Sequence, residues 1–311
     1  VMTTALDEAA ARRRIGELQL ATPQGVRSAA HLLVAWGLYA GGAVLTLHVH
    51  ALAVRLPVWF LMGWLLLGNG ALVHETLHGH TFAAKWANRL VGTICGLSVG
   101  LPFAAYRAYH LGHHQHSCTA DDPEGAPYQF TTRFQFLLLL VGGPLFALNF
   151  VWWTLASLFG HAPVWVRSPR QRRALVLDGV VSIGFYAAMV WLGIDHLDVL
   201  LCVWLMPWAF TMVLFEPFVL VPEHYGAKAE FAESALQTTR TVWSNPLLTW
   251  VYWGNNFHTA HHLHGGAVHQ NVRAITREFV APNIDREWIE SGYLAFHWRI
   301  FRGLPWLPAR R

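Results

Sequence analysis

The chain has 311 residues, of which 54% are hydrophobic and only 13% charged, with 16 tryptophans and a formal net charge of +4. Water-soluble domains carry about 25% charged residues, so a deficit this deep, set in long uncharged runs, excludes an ordinary soluble domain and calls for a bilayer. The positive excess comes from arginines beside those runs, where anionic lipid is the ordinary partner, and it gives no ground for a nucleic-acid partner.

Thr4 to Leu20 reads as a short amphipathic helix, with Thr4 and Asp7 in capping-box spacing. Its acidic residues, and an apolar run that begins only near residue 30, argue against a cleaved signal peptide; Val1 ahead of Met2 reads as an appended residue. Apolar runs then cover Ala29–Leu52, Pro57–Val73, Ala174–Ile194 and Val199–Val221, each near the ~20 residues that one crossing needs. Two further stretches are interrupted: Leu90–Tyr106 by Pro102, and Phe134–Phe159 by Gly142-Gly143-Pro144. Arginines 12, 13, 14 and 27 precede the first run and arginines 167, 170, 172 and 173 the third, so both groups are expected in the cytoplasm. The simplest solution is an all-α membrane protein with four transmembrane helices, Phe134–Phe159 dipping into one leaflet and returning. Six crossings is the alternative. Residues 1–28 then form a cytoplasmic amphipathic segment, 29–275 the membrane domain and 276–311 a cytoplasmic tail.

Histidines arrive in three packets: His74-x-x-x-His78-x-His80, His110-x-x-His113-His114-x-His116 and His258-x-x-His261-His262-x-His264. A helix turns about 100° per residue, so positions i, i+3 and i+4 share a face and each packet is expected to aim a row of imidazoles at one point. Neutral imidazole suits first-row metals. Three packets exceed the about four ligands of one tetrahedral zinc, and the pattern asks for two metals in a cytoplasmic helical cap. His80, His116, His264 and His269 fall off this register and are expected to be outer-shell or surface residues. His31, His48, His50, His161, His196 and His297 lack such spacing and read as surface or interfacial.

These boxes resemble those of the integral-membrane di-iron fatty acid desaturases and the related alkane hydroxylases and carotenoid oxygenases. HxxxH, HxxHH and HxxHH match His74/His78, His110/His113/His114 and His258/His261/His262, and Asn255-Asn256-Phe257-His258 is similar to the lead-in of the last box. Thr241-Val-Trp-Ser-Asn245-Pro and Asp121-Asp122-Pro123-Glu124 resemble family segments, and Glu223-His224-Tyr225-Gly226 is similar to a string of the alkane hydroxylases. Box three departs from many relatives at Ala260 and at Gly265-Gly266. The resemblance implies two iron ions, O2 as co-substrate, and ligands His74, His78, His110, His113, His114, His224, His258, His261 and His262, with His224 just after the last span. Glu75, Glu223, Asn255 and Asn256 are candidates for orienting imidazoles or holding a water. A lipid or acyl-carrier substrate is implied, with desaturation of its acyl chain the expected reaction and hydroxylation or acetylenation the alternatives. An inner membrane of bacterial type is the expected location.

Cys95, Cys118 and Cys202 form no CxxC pair, and no haem-attachment motif or dinucleotide fingerprint is present. Electrons are therefore expected from a separate ferredoxin-, rubredoxin- or cytochrome-type donor with its reductase, docking near Arg240, Arg273 and Arg277. Two competing classes remain. His74-Glu75-x-x-His78 is also an HExxH string, which with Asp178 would suit an intramembrane zinc protease; otherwise Asp178 reads as an interfacial residue at the N-terminus of its helix, where negative charge is favourable. A metal transporter would instead place its ligands near mid-bilayer.

Overall fold

The computed structural model of the chain describes residues 7–124, 130–232 and 234–306. Helix α1 spans Glu8–Glu17 and is capped by Asp7, whose carboxylate accepts from the Ala10 N–H at 3.0 Å; Thr4 lies outside the described residues. Among the described residues, four helices are long and apolar enough to cross a membrane: α2 (Gly25–His48), α3 (Leu52–His78), α8 (Pro169–Asp195) and α9 (Leu197–His224). Half of the most apolar stretch of α3 is buried, against 22–28% in the other three. Helix α3 is thus the central post, while α2 and α8 present Leu33, Leu38, Val180 and Trp191 outward, where lipid can cover them.

The two interrupted stretches form bent pairs. Helices α4 (Lys85–Val99) and α5 (Phe103–His116) meet at 98°, and α6 (Arg133–Leu140) meets α7 (Gly143–Ala156) at a bend of 53°. Local chemistry causes both bends. Gly100 ends α4 in the left-handed region at φ +84°, and Pro102 cannot continue the helix. At the second corner a Cβ on Gly143 would sit 1.9 Å from the Met212 carbonyl oxygen, so only glycine lets α7 approach α9 there. Four crossings result, or six if each bent pair counts as one.

Prolines organise α9. Its turns widen to π geometry at Leu201–Leu205 and Thr211–Phe215, and each widened turn is followed at the second residue by a proline, Pro207 or Pro217. Proline removes one N–H and pushes on the carbonyl four residues earlier, which a wider turn relieves. The carbonyls so freed become docking points for other elements. Val203, four before Pro207, accepts from the Tyr39 hydroxyl of α2 at 2.7 Å. Phe218, four before Pro222, accepts from His297 Nε2 at 2.7 Å. His297 is therefore buried and structural, not superficial.

Asp178 behaves differently from its expected place at the start of its own helix. It sits in the tenth position of α8, buried, and accepts from the backbone N–H of Ala104 in the first turn of α5, with Arg89 3.7 Å away. Negative charge is favourable at a helix N-terminus, and here it belongs to a neighbouring helix, the one carrying the second histidine packet.

Beyond α9 the chain folds back over the histidine packets. Asn245 caps α10 (Pro246–Val251), accepting from the Leu248 N–H at 2.8 Å, and α11 (His258–Leu263) follows. Strand β1 (Thr241–Val242) pairs in parallel with β2 (Ile289–Glu290), and α12 (Tyr293–Gly303) packs against the end of α9. Ala11 and Ile15 of α1 enter one apolar cluster with Phe257, Ala260, Leu263 and Ile275, and Arg12 Nε donates to the Leu263 carbonyl at the last residue of α11. Helix α1 thus braces the third packet.

The Tyr39 contact can be tested by deleting a single atom. Tyr39→Phe leaves the Val203 carbonyl without its partner, and we expect a loss of about 1–3 kcal/mol, read as a lower unfolding temperature in detergent. An unchanged temperature would show that the carbonyl needs no protein donor.

Candidate metal centre

Four elements deliver imidazoles to one place at the end of the spans. Ligand-capable nitrogens of His74, His78, His110, His114 and His261 form one group, and those of His113, His224, His258 and His262 a second, each group within 4.8 Å throughout. The expectation that each packet aims at one point is corrected by this division. In the second packet, His110 and His114, four residues apart and about 40° around the helix, go to the first group, while His113 goes to the second. In the third packet the pattern reverses: His258 and His262 join the second group and His261 the first. Adjacent histidines diverge by about 100°, so an HxxHH box on a helix serves two centres. His224 completes the second group from the last residue of α9, not from beyond the span.

Hydrogen bonds prepare the inward nitrogens. His110 Nδ1 lies 3.1 Å from Glu124, His113 Nδ1 2.9 Å from Asp122, His224 Nδ1 2.9 Å from the Thr238 carbonyl and His74 Nδ1 3.3 Å from Glu75. With the proton held on Nδ1, each ring turns an Nε2 lone pair inward. Those nitrogens crowd one another: His114 is 2.9 Å from His110 and 3.0 Å from His261, and His224 is 3.1 Å from His113 and 2.9 Å from His258. Nε2 of His74 and of His78 is buried with no hydrogen-bond partner among the described residues. Burial, then the neighbouring imidazoles, holds His258, His261 and His262 well below the usual histidine range, so they are neutral. Imidazole nitrogens converging in this way fit cations, and two groups fit two.

Sequence reasoning missed Asp122 and Glu124 as partners of these rings, although it singled out their segment. The available signal was position: two carboxylates just after a histidine packet are within reach of its outward nitrogens. Burial tends to raise Asp122, but the His113 bond and the N–H groups of Cys118 and Glu124 outweigh it and hold the carboxyl below its ordinary value. Burial raises Glu124.

Of the four expected outer-shell residues, Glu75 touches His74, and Glu223 accepts from the Tyr252 hydroxyl at 2.7 Å and lies 3.7 Å from His258 Nδ1. Asn256 instead donates to the Val242 carbonyl at 2.9 Å and so ties β1 to the third packet, while Asn255 lines a cavity. His80 is exposed, and His116 lies 3.3 Å from Arg167. His31 is not superficial: its ring stacks on Trp253 at 3.9 Å and on Trp250 at 4.4 Å, with the His269 ring 5.8 Å from it and edge-on to Trp253 at 4.5 Å. Asp178, engaged with Ala104 and Arg89, belongs to neither imidazole group, and the HExxH pair shares its group with histidines of the other packets.

Arg240 is not available as an exposed docking contact. It is buried, donates to the carbonyls of Pro222 and Tyr225 at 2.9 and 3.0 Å, lies 3.3 Å from Glu290 and stacks over Trp288. A cation clamped to the last turn of α9 is favourable there and fixes the turn that bears Glu223 and His224. Arg273 and Arg277 are exposed.

The cavity beside the imidazoles has a regular construction. Leu67, Gly70 and Ala71 of α3 stand seven, four and three residues before His74, and Glu216, Val219 and Leu220 stand seven, four and three before Glu223. Those offsets share a helix face, so two spans line one cavity that runs about 10 Å by helical rise from the histidines toward the bilayer interior. Phe146 and Leu101 close further walls, with His110, Tyr252 and Glu124 at the histidine end.

A family model described as fatty acid desaturase matches residues 50–290. The chain is 26% identical over 280 residues to the sn-1 oleoyl-lipid 12-desaturase of a Picosynechococcus species, covering 80% of this chain and 74% of that one. It is 31% identical over 128 residues to the Beta-carotene ketolase of a Paracoccus species, covering 37% of this chain and 52% of the other.

The Asp122 contact yields a prediction separate from any ligand change. Asp122→Asn keeps the size but loses the charged acceptor that orients His113, and outer-shell losses of this kind weaken metal binding about 10–100-fold. Chelator competition on the purified protein measures it. Equal metal retention by the variant and wild type would remove Asp122 from the site.

Proposed function

This chain belongs to the fatty acid desaturase family, whose members are membrane di-iron oxidoreductases, and from that premise we propose that it uses two iron ions and O2 to place a double bond in the acyl chain of a lipid or acyl-carrier substrate. The observation that carries the reading is the pair of imidazole groups at the end of a cavity lined by two spans. The proposed ligands are His74, His78, His110, His114 and His261 for one ion and His113, His224, His258 and His262 for the other. Iron so held supplies the oxidising power toward an unactivated C–H bond that no side chain has.

The protein's own part is placement. Leu67, Ala71, Val219 and Leu220 give an acyl chain an apolar wall, which removes water and holds one stretch of chain against the histidines. Asp122, Glu124, Glu75 and the Thr238 carbonyl keep protons on the outward ring nitrogens. Glu223, bonded to Tyr252 at the cavity's end, is a candidate to hold a proton or a water there. Residues 29–275 form the proposed desaturase domain, with 1–28 and 276–311 flanking it. The arginine distribution supports a cytoplasmic site.

A second reading, ring or chain oxygenation, is favoured by the ketolase match and by Glu223-His224-Tyr225-Gly226. Desaturation has the broader support, because the desaturase match spans most of both chains. Electrons are proposed to come from a separate acidic carrier, with Arg273 and Arg277 exposed beside the third packet.

Mass spectrometry of lipids from cells with and without the chain tests the reaction class. We expect species lacking two hydrogens; species gaining an oxygen would favour the second reading. Purified protein should carry close to two iron ions per chain, and alanine at any one of the nine histidines should abolish turnover, whereas His48→Ala or His196→Ala should not. Stoichiometric zinc without iron, after iron-replete expression, would refute the di-iron assignment. Repeated turnover with NAD(P)H and O2 alone would refute the separate carrier, whose contribution should otherwise fall as salt rises.

A further inference from the structure

The cavity contains a group that a plain hydrocarbon chain does not need. Glu216 stands at its far end, among Leu67, Phe146, Val219 and Leu220, inside a span. No hydrogen bond or ion pair reaches its carboxyl from the described residues. Leaving a carboxyl unpaired in an apolar setting costs several kcal/mol, and ionisable groups within spans mark substrate or ion paths. The chain also shapes its backbone here: the widened turn Thr211–Phe215 immediately precedes Glu216, and Pro217 follows. Bulges of this type recur at functional sites.

A purely structural role has one point in its favour. Glu216 Oε2 would lie 3.0 Å from a Cβ on Gly143, so the carboxyl rests against the first turn of α7, whose dipole favours negative charge. Yet Pro144 removes one of the donors of that turn, and the carboxyl makes no hydrogen bond to it. The geometry leaves acceptor capacity directed to the cavity.

Building on the proposed function, we infer that Glu216 binds a hydroxyl group on the substrate chain, about 10 Å by helical rise from the histidine end where the chain reacts. Glu216 and Glu223 lie seven residues apart on one helix face, so they mark the two ends of the substrate segment that the cavity measures. In either protonation state a carboxyl accepts from a hydroxyl. The substrate class is therefore an oxygenated lipid chain, and Glu216 sets which carbon faces the histidines by anchoring that oxygen.

Ligand-dependent thermal stabilisation of the purified protein in detergent tests this without turnover. The probes are methyl stearate and a set of methyl hydroxystearates with the hydroxyl stepped along the chain. We expect one isomer to bind at least about tenfold more tightly than methyl stearate, with the preference lost in Glu216→Leu and partly kept in Glu216→Gln. Equal binding of every isomer and the parent by wild type overturns the inference and needs no variant to fold. So does a preference that survives Glu216→Leu, or a variant whose only change is a lower unfolding temperature of the ligand-free protein. Because the reaction class is read from cellular lipids, failure here leaves the proposed chemistry standing, and failure there leaves the binding preference intact.

Discussion

Imidazole nitrogens held within hydrogen-bond distance of one another, where water scarcely reaches, are the constraint on which this structure turns. Lone pairs at 2.9–3.3 Å repel unless a proton or a cation lies between them. For His258, His261 and His262 burial disfavours the protonated alternative. The surrounding carboxylates then have a clear purpose: Asp122, Glu124 and Glu75 hold the outward protons and offer negative charge near the place where positive charge belongs.

Such a cluster tolerates little movement, and its supports are rigid. Two groups of ligand-capable residues end long spans, at His74/His78 on α3 and His224 on α9, where a bilayer restrains both helices. Contacts from elsewhere lock the remaining parts. Asp178 of α8 holds the start of α5, Arg240 holds the end of α9, and Arg12 of α1 holds the end of α11. Each of the three is a charged side chain on the terminal backbone groups of a helix that bears histidines, which is where helices leave donors or acceptors unpaired.

The same two spans couple the centre to the membrane. Because α3 and α9 present cavity-lining residues at the same offsets before His74 and Glu223, the path to the imidazoles and the imidazoles themselves share a register. Prolines in α9 shift that register where the helix widens, and the carbonyls they free recruit Tyr39 and His297 from distant parts of the chain. A substitution at those docking points would therefore be felt at the site through α9.

Hydropathy, helical spacing and the histidine packets were enough to place four spans, two kinked elements and eight of the nine clustered histidines, because each depends on local periodicity or on residue type; His224, in no packet, came only from the family resemblance. His31, His297 and Arg240 were misjudged for the converse reason: nothing in their immediate neighbours reveals a stack on Trp253, a carbonyl freed by Pro222 or a clamp over Trp288. Asp178 was read as a terminal residue of its own helix, whereas it serves the terminus of another. How each HxxHH box divides between two centres was implicit in the 100° helical step, yet which ring joined which group required knowing where α3, α5, α9 and α11 cross. Sequence alone determined the inventory of spans and imidazoles. Only tertiary structure decided their partition, their proton-holding partners and the place of Glu216 in the cavity, since those arise from contacts between residues far apart in the chain, to which local spacing is blind.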